Sequence, residues 1–250
     1  MSEFRRFDPA HPALHHHRSV PTITNDKARC LLIHGFAGSV REVSPLSDYL
    51  SGRGYATSCV RLSGHTGKKS DLAGSDNESW IRSAEEALLD RGCSSERLFL
   101  IGFSMGGLIA IHLAQKYRLD GIVTLNMPIY YWDVRKFLNY LGKDFRTGRF
   151  DTLKRYFRSS IDMPFEAVFN FRALLEKTKP LLKKTTCPLS IHQSLEDDVV
   201  HSRSAEFIYQ NAGSTKKEVK YYSGAGHMIC HSPASGEVFR DVETFLRSAG

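Results

Sequence analysis

The sequence predicts an α/β protein: a mostly parallel central sheet flanked by helices, with a small helical cap inserted late in the chain. Three observations lead there. Short apolar runs alternate with helical patterns along most of the length, which is the rhythm of βαβ units. The runs are continuously apolar rather than alternating with polar residues, as in strands buried on two sides. The rhythm breaks once, over residues 127–184. That break assigns 1–126 and 185–250 to the core and the segment between them to the cap.

The elements follow in order. Residues 30–34, ending at Gly35, form a first buried strand, and 43–53 a helix. Residues 55–60 are a second strand. Residues 80–91 carry helical spacing, with Ile81, Ala84, Ala87 and Leu88 on one face. A third strand covers 98–101, and an amphipathic helix continues over 108–117. Strands at 121–125, 188–192 and 218–222 come next, and 236–247 is the closing helix. The insertion is helical, basic and aromatic (Tyr130, Tyr131, Trp132, Phe137, Tyr140 and Phe145), and it is too long for a structureless loop.

Composition narrows the function. A chain of 250 residues, 41% hydrophobic and 24% charged, is long enough to bury a sizeable core and reads as an ordinary globular protein. No run approaches the roughly 18 apolar residues of a membrane span, and the first residues lack the apolar stretch of a secretory signal. The expected location is the cytoplasm. The five cysteines (Cys30, Cys59, Cys93, Cys187 and Cys230) are widely spread and form no CxxC pair. They read as free thiols of a reducing compartment. The run His15–His17 has no acidic or thiol neighbour to complete a metal site. No metal and no organic cofactor are expected.

The net charge of +7 has one source: residues 135–184 hold thirteen basic against five acidic residues. These charges are either solvated helix faces or a basic rim that attracts anionic substrates or a lipid surface in transient contact. Nucleic acid is excluded as a partner because no binding motif accompanies the charge.

The strongest chemical signal is Gly102-Phe103-Ser104-Met105-Gly106-Gly107, between a strand and a helix. A serine on so tight a turn is thrust clear of the sheet, and glycines two before and two after let neighbouring segments approach. The helix N-terminus beneath it favours a developing anion. A serine hydroxyl needs a base, and the base needs an orienting acid. His227, in Ser223-Gly224-Ala225-Gly226-His227, stands between the last strand and the last helix, so it is the expected base. His231, His201, His192 and His112 lie in poorer contexts. The acid comes from Glu196-Asp197-Asp198, after the strand at 188–192. Asp197 is preferred because Val200, three residues on, anchors the loop; Asp198 is its rival. Backbone amides of Met105 and of Phe36, in His34-Gly35-Phe36-Ala37-Gly38, would hold an oxyanion.

Together the segment LLIHGFAGS, the turn RLSGHTG, GFSMGG, the DDVV loop and GAGH resemble the small bacterial carboxylesterases and monoacylglycerol lipases of the α/β-hydrolase superfamily. The resemblance runs from about Cys30 to the C-terminus. It implies the α/β-hydrolase fold, with Ser104 as nucleophile, Asp197 as acid, His227 as base, and the Phe36 and Met105 amides as oxyanion donors. SGHTG departs from the commoner GHG by a threonine. The implied reaction is hydrolysis of a small-molecule carboxylic ester with a short to medium acyl chain, through an acyl-enzyme. A thioesterase or amidase would use the same residues, and a non-catalytic binding protein of this fold is the alternative from another class. Oligomeric state has no signature in the sequence.

Overall fold

A computed structural model describes residues 28–90, 97–130 and 164–249. His15–His17, Cys93, the insertion's aromatic residues from Tyr131 to Phe145 and its basic residues from Arg135 to Arg158 lie outside the described residues. Among the described residues six strands form one sheet: β1 (Ala28–Ile33), β2 (Ala56–Val60), β3 (Arg97–Phe103), β4 (Gly121–Leu125), β5 (Leu189–Ser194) and β6 (Lys217–Tyr222). Their order is β2-β1-β3-β4-β5-β6, and every neighbouring pair is parallel. The expected parallel sheet is present.

Both faces of this sheet are packed. Leu31 and Ile33 of β1 join Leu100, Ile122 and Ile191 in one core cluster. Cys30 and Leu32 turn the other way and join Phe99, Ile101 and Val123. Side chains still alternate along each strand, but both destinations are apolar, which is why the sequence shows continuous runs. The first cluster lies under α3 (Asn77–Leu89), α4 (Met105–Leu113), α5 (Phe165–Thr178) and α6 (Arg203–Asn211); the second lies under α1 (Ser44–Ser51) and α7 (Ser235–Ser248). A five-residue helix α2 (Lys69–Ala73) precedes α3.

The helix boundaries differ from expectation for local reasons. α3 starts three residues early because Asp76 caps it: Asp76 Oδ1 accepts the Ser79 N–H at 2.7 Å, while the Asp76 N–H donates to Ser79 Oγ at 3.0 Å. This reciprocal capping box satisfies two amides that the helix cannot. α4 begins at Met105, directly after the elbow, and is not amphipathic: of its nine residues only His112 escapes full burial. It is enclosed by the sheet below and by α3 and α5 above. α6 was not foreseen, because it buries only Ser204, Ala205 and Ile208, too thin a stripe to stand out as a period. β5 runs two residues further than expected. Its polar end stays buried because Gln193 Nε2 donates to the Ser194 carbonyl and the Ser194 N–H to Asn126 Oδ1.

The described part of the insertion is mainly α5, which buries Ala167, Phe171, Leu174 and Leu175 and packs against α2, α3 and α4. His112 Nε2 lies 3.0 Å from Thr178 Oγ1 and joins α4 to the end of α5. The described cysteines are free thiols, with Cys30 and Cys230 buried.

Candidate active site

In an open parallel sheet, ligands bind beyond the carboxyl ends of the strands, at the point where the order of connections reverses. Here the chain runs from β1 out to β2 and then returns to place β3 on the other side of β1. The switch point is therefore the gap between β1 and β3. The loops that open there are His34–Gly38 and the elbow at Ser104.

Ser104 takes φ 50°, ψ −119° as the cap of α4, a backbone region that costs a non-glycine residue about 1–3 kcal/mol. Close packing holds it there. A Cβ on Gly102 would fall 2.3 Å from Gly106 C, and one on Gly106 would fall 2.2 Å from the Ile33 carbonyl oxygen. Both are impossible contacts, so strand, turn and helix fit together only with glycine at these positions. The Ser104 N–H donates to the Leu125 carbonyl at 2.8 Å, which fastens the turn to the end of β4. The serine itself is only 7% exposed.

The structure brings Asp197, not Asp198, against His227. His227 Nδ1 lies 2.9 Å from Asp197 Oδ2 and 3.1 Å from Oδ1. Asp197 Oδ1 also accepts the Val199 and Val200 N–H groups, each at 2.8 Å, and its side chain is fully buried. Val200 is buried as well and pins the loop. Three N–H groups therefore converge on this one carboxylate. Asp198 and Glu196 are exposed, and Glu196 Oε2 accepts the Gly224 N–H at 2.9 Å, supporting the turn before His227. With Nδ1 turned to Asp197, Nε2 is the ring nitrogen that faces away from this carboxylate. The His227 ring packs 5.0 Å from that of Phe103, the residue before Ser104.

The turn after β1 is held from several sides. His34 is buried, and its Nε2 accepts the Leu62 N–H at 3.3 Å. Its Nδ1–H therefore donates to the Gly35 carbonyl, 2.9 Å away. Burial lowers the His34 pKa to about 4, so the ring is neutral. Ala37 has φ 54°, and the Gly38 N–H donates back to the Gly35 carbonyl. The Phe36 ring stacks 5.1 Å from Phe171 of α5 and lies 5.7 Å from Trp80 of α3. Among the described residues, neither the Phe36 nor the Met105 amide has a protein acceptor, so both remain open to a ligand oxygen. His65, in the SGHTG turn, is buried beside His34 and Trp80, and Thr66 Oγ1 donates to Asp71 at the start of α2.

One residue of this site was missed in the sequence. Asn126, after β4, is fully buried at φ 49°. Its Nδ2 donates to the His227 carbonyl at 2.8 Å, and its Oδ1 accepts the Ser194 N–H at 2.8 Å. It thus ties the ends of β4 and β5 to the histidine loop. The available signal was an Asn directly after a strand and before Met-Pro, a residue type suited to left-handed backbone. The other histidines stand elsewhere: His192 inside β5 against Tyr222, His201 at the foot of α6, and His231 on the Arg41 carbonyl. Among the described residues no cluster of His, Cys, Asp or Glu is suited to a metal.

Residues 30–241 match the model of the alpha/beta hydrolase family, and the chain belongs to that family. It is similar to the thermostable monoacylglycerol lipase of Bacillus sp. (strain H-257), at 27% identity over 240 residues that cover 90% of this chain and 93% of that protein. It is also similar to a carboxylesterase of Bacillus subtilis (strain 168), at 26% identity over 232 residues covering 88% and 92%. Among solved structures, one of a metagenome-derived lipolytic enzyme superposes with a TM-score of 0.73 at 22% identity, covering 89% of this chain and 94% of that one. The resemblance read from the motifs and the fold class both hold. No helix among the described residues is long and apolar enough to cross a membrane.

Proposed function

We propose that the protein is a serine carboxylic ester hydrolase in which Ser104, His227 and Asp197 form the catalytic relay. The observation that carries this reading is the buried Asp197–His227 pair, set beside Phe103 at the strained serine of the elbow. The names of its relatives, a monoacylglycerol lipase and a carboxylesterase, point to the same chemistry.

In this reading His227 Nε2 takes the proton of Ser104 as Oγ attacks the ester carbonyl. The Phe36 and Met105 amides bind the tetrahedral oxyanion, and Asp197 holds the imidazolium in place. His227 then gives its proton to the leaving alcohol, and the acyl group stays on Ser104. Water, deprotonated by His227, repeats the attack and releases the carboxylic acid. Within the expected cap segment, α5 lies against the oxyanion turn through the Phe171–Phe36 stack and lines the acyl side of the site. Phe165 and Phe169 of α5 are exposed in the same basic segment, which favours brief contact with an anionic lipid surface. Such binding weakens as salt is raised.

The test is hydrolysis of p-nitrophenyl esters of graded acyl length by wild type and Ser104→Ala, with matched thioester and amide substrates alongside. The expected loss in the variant is about 10⁴-fold or more in kcat, with esters turned over fastest. Full activity in Ser104→Ala would end the reading; faster thioester turnover would reassign the substrate.

A further inference from the structure

Acyl transfer as described makes no use of one carboxylate that touches the oxyanion turn. Glu42 closes the 3-10 turn Val40–Glu42, and its side chain folds back so that Oε2 accepts the Gly35 N–H at 2.8 Å. The point where a Gly35 Cβ would stand is 3.2 Å from Glu42 Oε2 and 3.2 Å from Ser104 Cβ. Carboxylate, peptide and nucleophile therefore pack in one layer. Gly38 makes the room, since a Cβ there would lie 2.2 Å from the Glu42 carboxylate. On the far side, His231 Nε2–H donates to the Arg41 carbonyl at 2.9 Å, so the same short turn also grips the loop that carries His227. Burial raises the Glu42 carboxyl above its usual range, opposed chiefly by the Gly35 N–H.

Gly35 has few conformational restraints of its own, yet its two dihedrals aim the next amide, that of Phe36. Both peptide planes around it are pinned. Glu42 holds the plane before it through the Gly35 N–H. His34 Nδ1 and the Gly38 N–H hold the plane after it through the Gly35 carbonyl. In a trans peptide the N–H points opposite to the C=O, so fixing that carbonyl also fixes the direction of the Phe36 N–H. The Gly35 amide, already taken by Glu42, is not free to act as a third donor.

We propose that Glu42 is a positioning residue of the site: by accepting the Gly35 N–H it locks the turn in the conformation that presents the Phe36 amide to the oxyanion. This rests on the ester-hydrolase reading, with Phe36 as a donor. The experiment is steady-state hydrolysis of a short p-nitrophenyl ester by wild type, Glu42→Ala, Glu42→Gln, Gly38→Ala and the double variant Gly38→Ala/Glu42→Ala. Melting temperatures are measured beside the rates.

Losing the clamp should lower kcat on the order of 10- to 100-fold with KM within about twofold, the signature of an interaction made in the transition state. Glu42→Gln keeps an acceptor oxygen and should recover most of the loss. Gly38→Ala pushes the intact carboxylate off Gly35, so it should behave like Glu42→Ala and add nothing to it in the double variant. If Glu42→Ala does not fold, Gly38→Ala against Glu42→Gln still gives the comparison. Wild-type kcat in Glu42→Ala or Gly38→Ala, or losses that multiply in the double variant, would overturn the proposal. A wild-type protein without esterase activity would end the hydrolase reading as well, whereas an active one with indifferent Glu42 variants would end only this inference.

Discussion

Asn126→Ala isolates the contribution of a side chain that joins three segments of the site. The substitution removes the acceptor of the Ser194 N–H and the donor to the His227 carbonyl, both at 2.8 Å. Leaving a buried donor unpaired costs about 1–3 kcal/mol, and the half-exposed His227 carbonyl about 1 kcal/mol. Alanine must also take the φ of 49°, which adds about 1 kcal/mol relative to asparagine. The sum is about 3–5 kcal/mol, or roughly 10 °C in melting temperature for a domain of this size. Urea unfolding followed by circular dichroism measures it. The histidine loop should also lose its hold, so kcat should fall by more than KM changes. A loss below about 1 kcal/mol with unchanged kcat would refute the idea that Asn126 fastens the base loop to the sheet.

Further outcomes follow from the same geometry. Asp197→Asn should lower kcat by about 10⁴-fold, while Asp198→Asn, with its exposed side chain, stays within about twofold; the reverse order in steady-state rates would exchange their roles. Gly106→Ala drives a Cβ into the Ile33 carbonyl at 2.2 Å, whereas Gly226→Ala meets nothing within 4 Å. Thermal melting should show the first destabilised by about 3 kcal/mol or more and the second within about 0.5 kcal/mol of wild type. His34 is neutral in the fold, its pKa pulled down to about 4 from the ordinary 6.5. The unfolded chain binds the proton first, so stability is full above pH 6.5 and declines as pH falls from there to 4. The decline amounts to about 3 kcal/mol. His192, lowered to about 3 by burial, steepens the same slope. Melting temperatures recorded from pH 7.5 to 4 test this, and His34→Gln should flatten the profile.

What was legible in the sequence was whatever depends on short-range pattern. Continuous apolar runs marked the inner strands β1, β3 and β4, whose faces are both covered, and the elbow was readable from its glycines, one of which, Gly102, is required by contact with Gly106 only four residues on. The preference for Asp197 over its neighbour rested on one local fact, a buried Val200, and the structure turns that same carboxylate inward. What escaped depends on distant partners. Asn126 and Glu42 are defined by hydrogen bonds to Ser194, His227 and Gly35, and no periodicity announces them. The helix after the elbow looked one-sided only because α5, more than fifty residues on, could not be placed over it. The unforeseen α6 stayed hidden because only Ser204, Ala205 and Ile208 of it are fully buried.

The order of the strands has a consequence for how the protein matures. The groups of the proposed relay sit beyond β3, β5 and β6, and among the described strands β6 is the outermost, bonded only to β5. A refolding chain can therefore complete most of its interior and still lack a base opposite the serine until that last strand docks. Ester turnover should be the final property regained after dilution from denaturant, lagging behind helix content and tryptophan burial. Fraying of that edge should silence the enzyme well before the rest of the molecule melts.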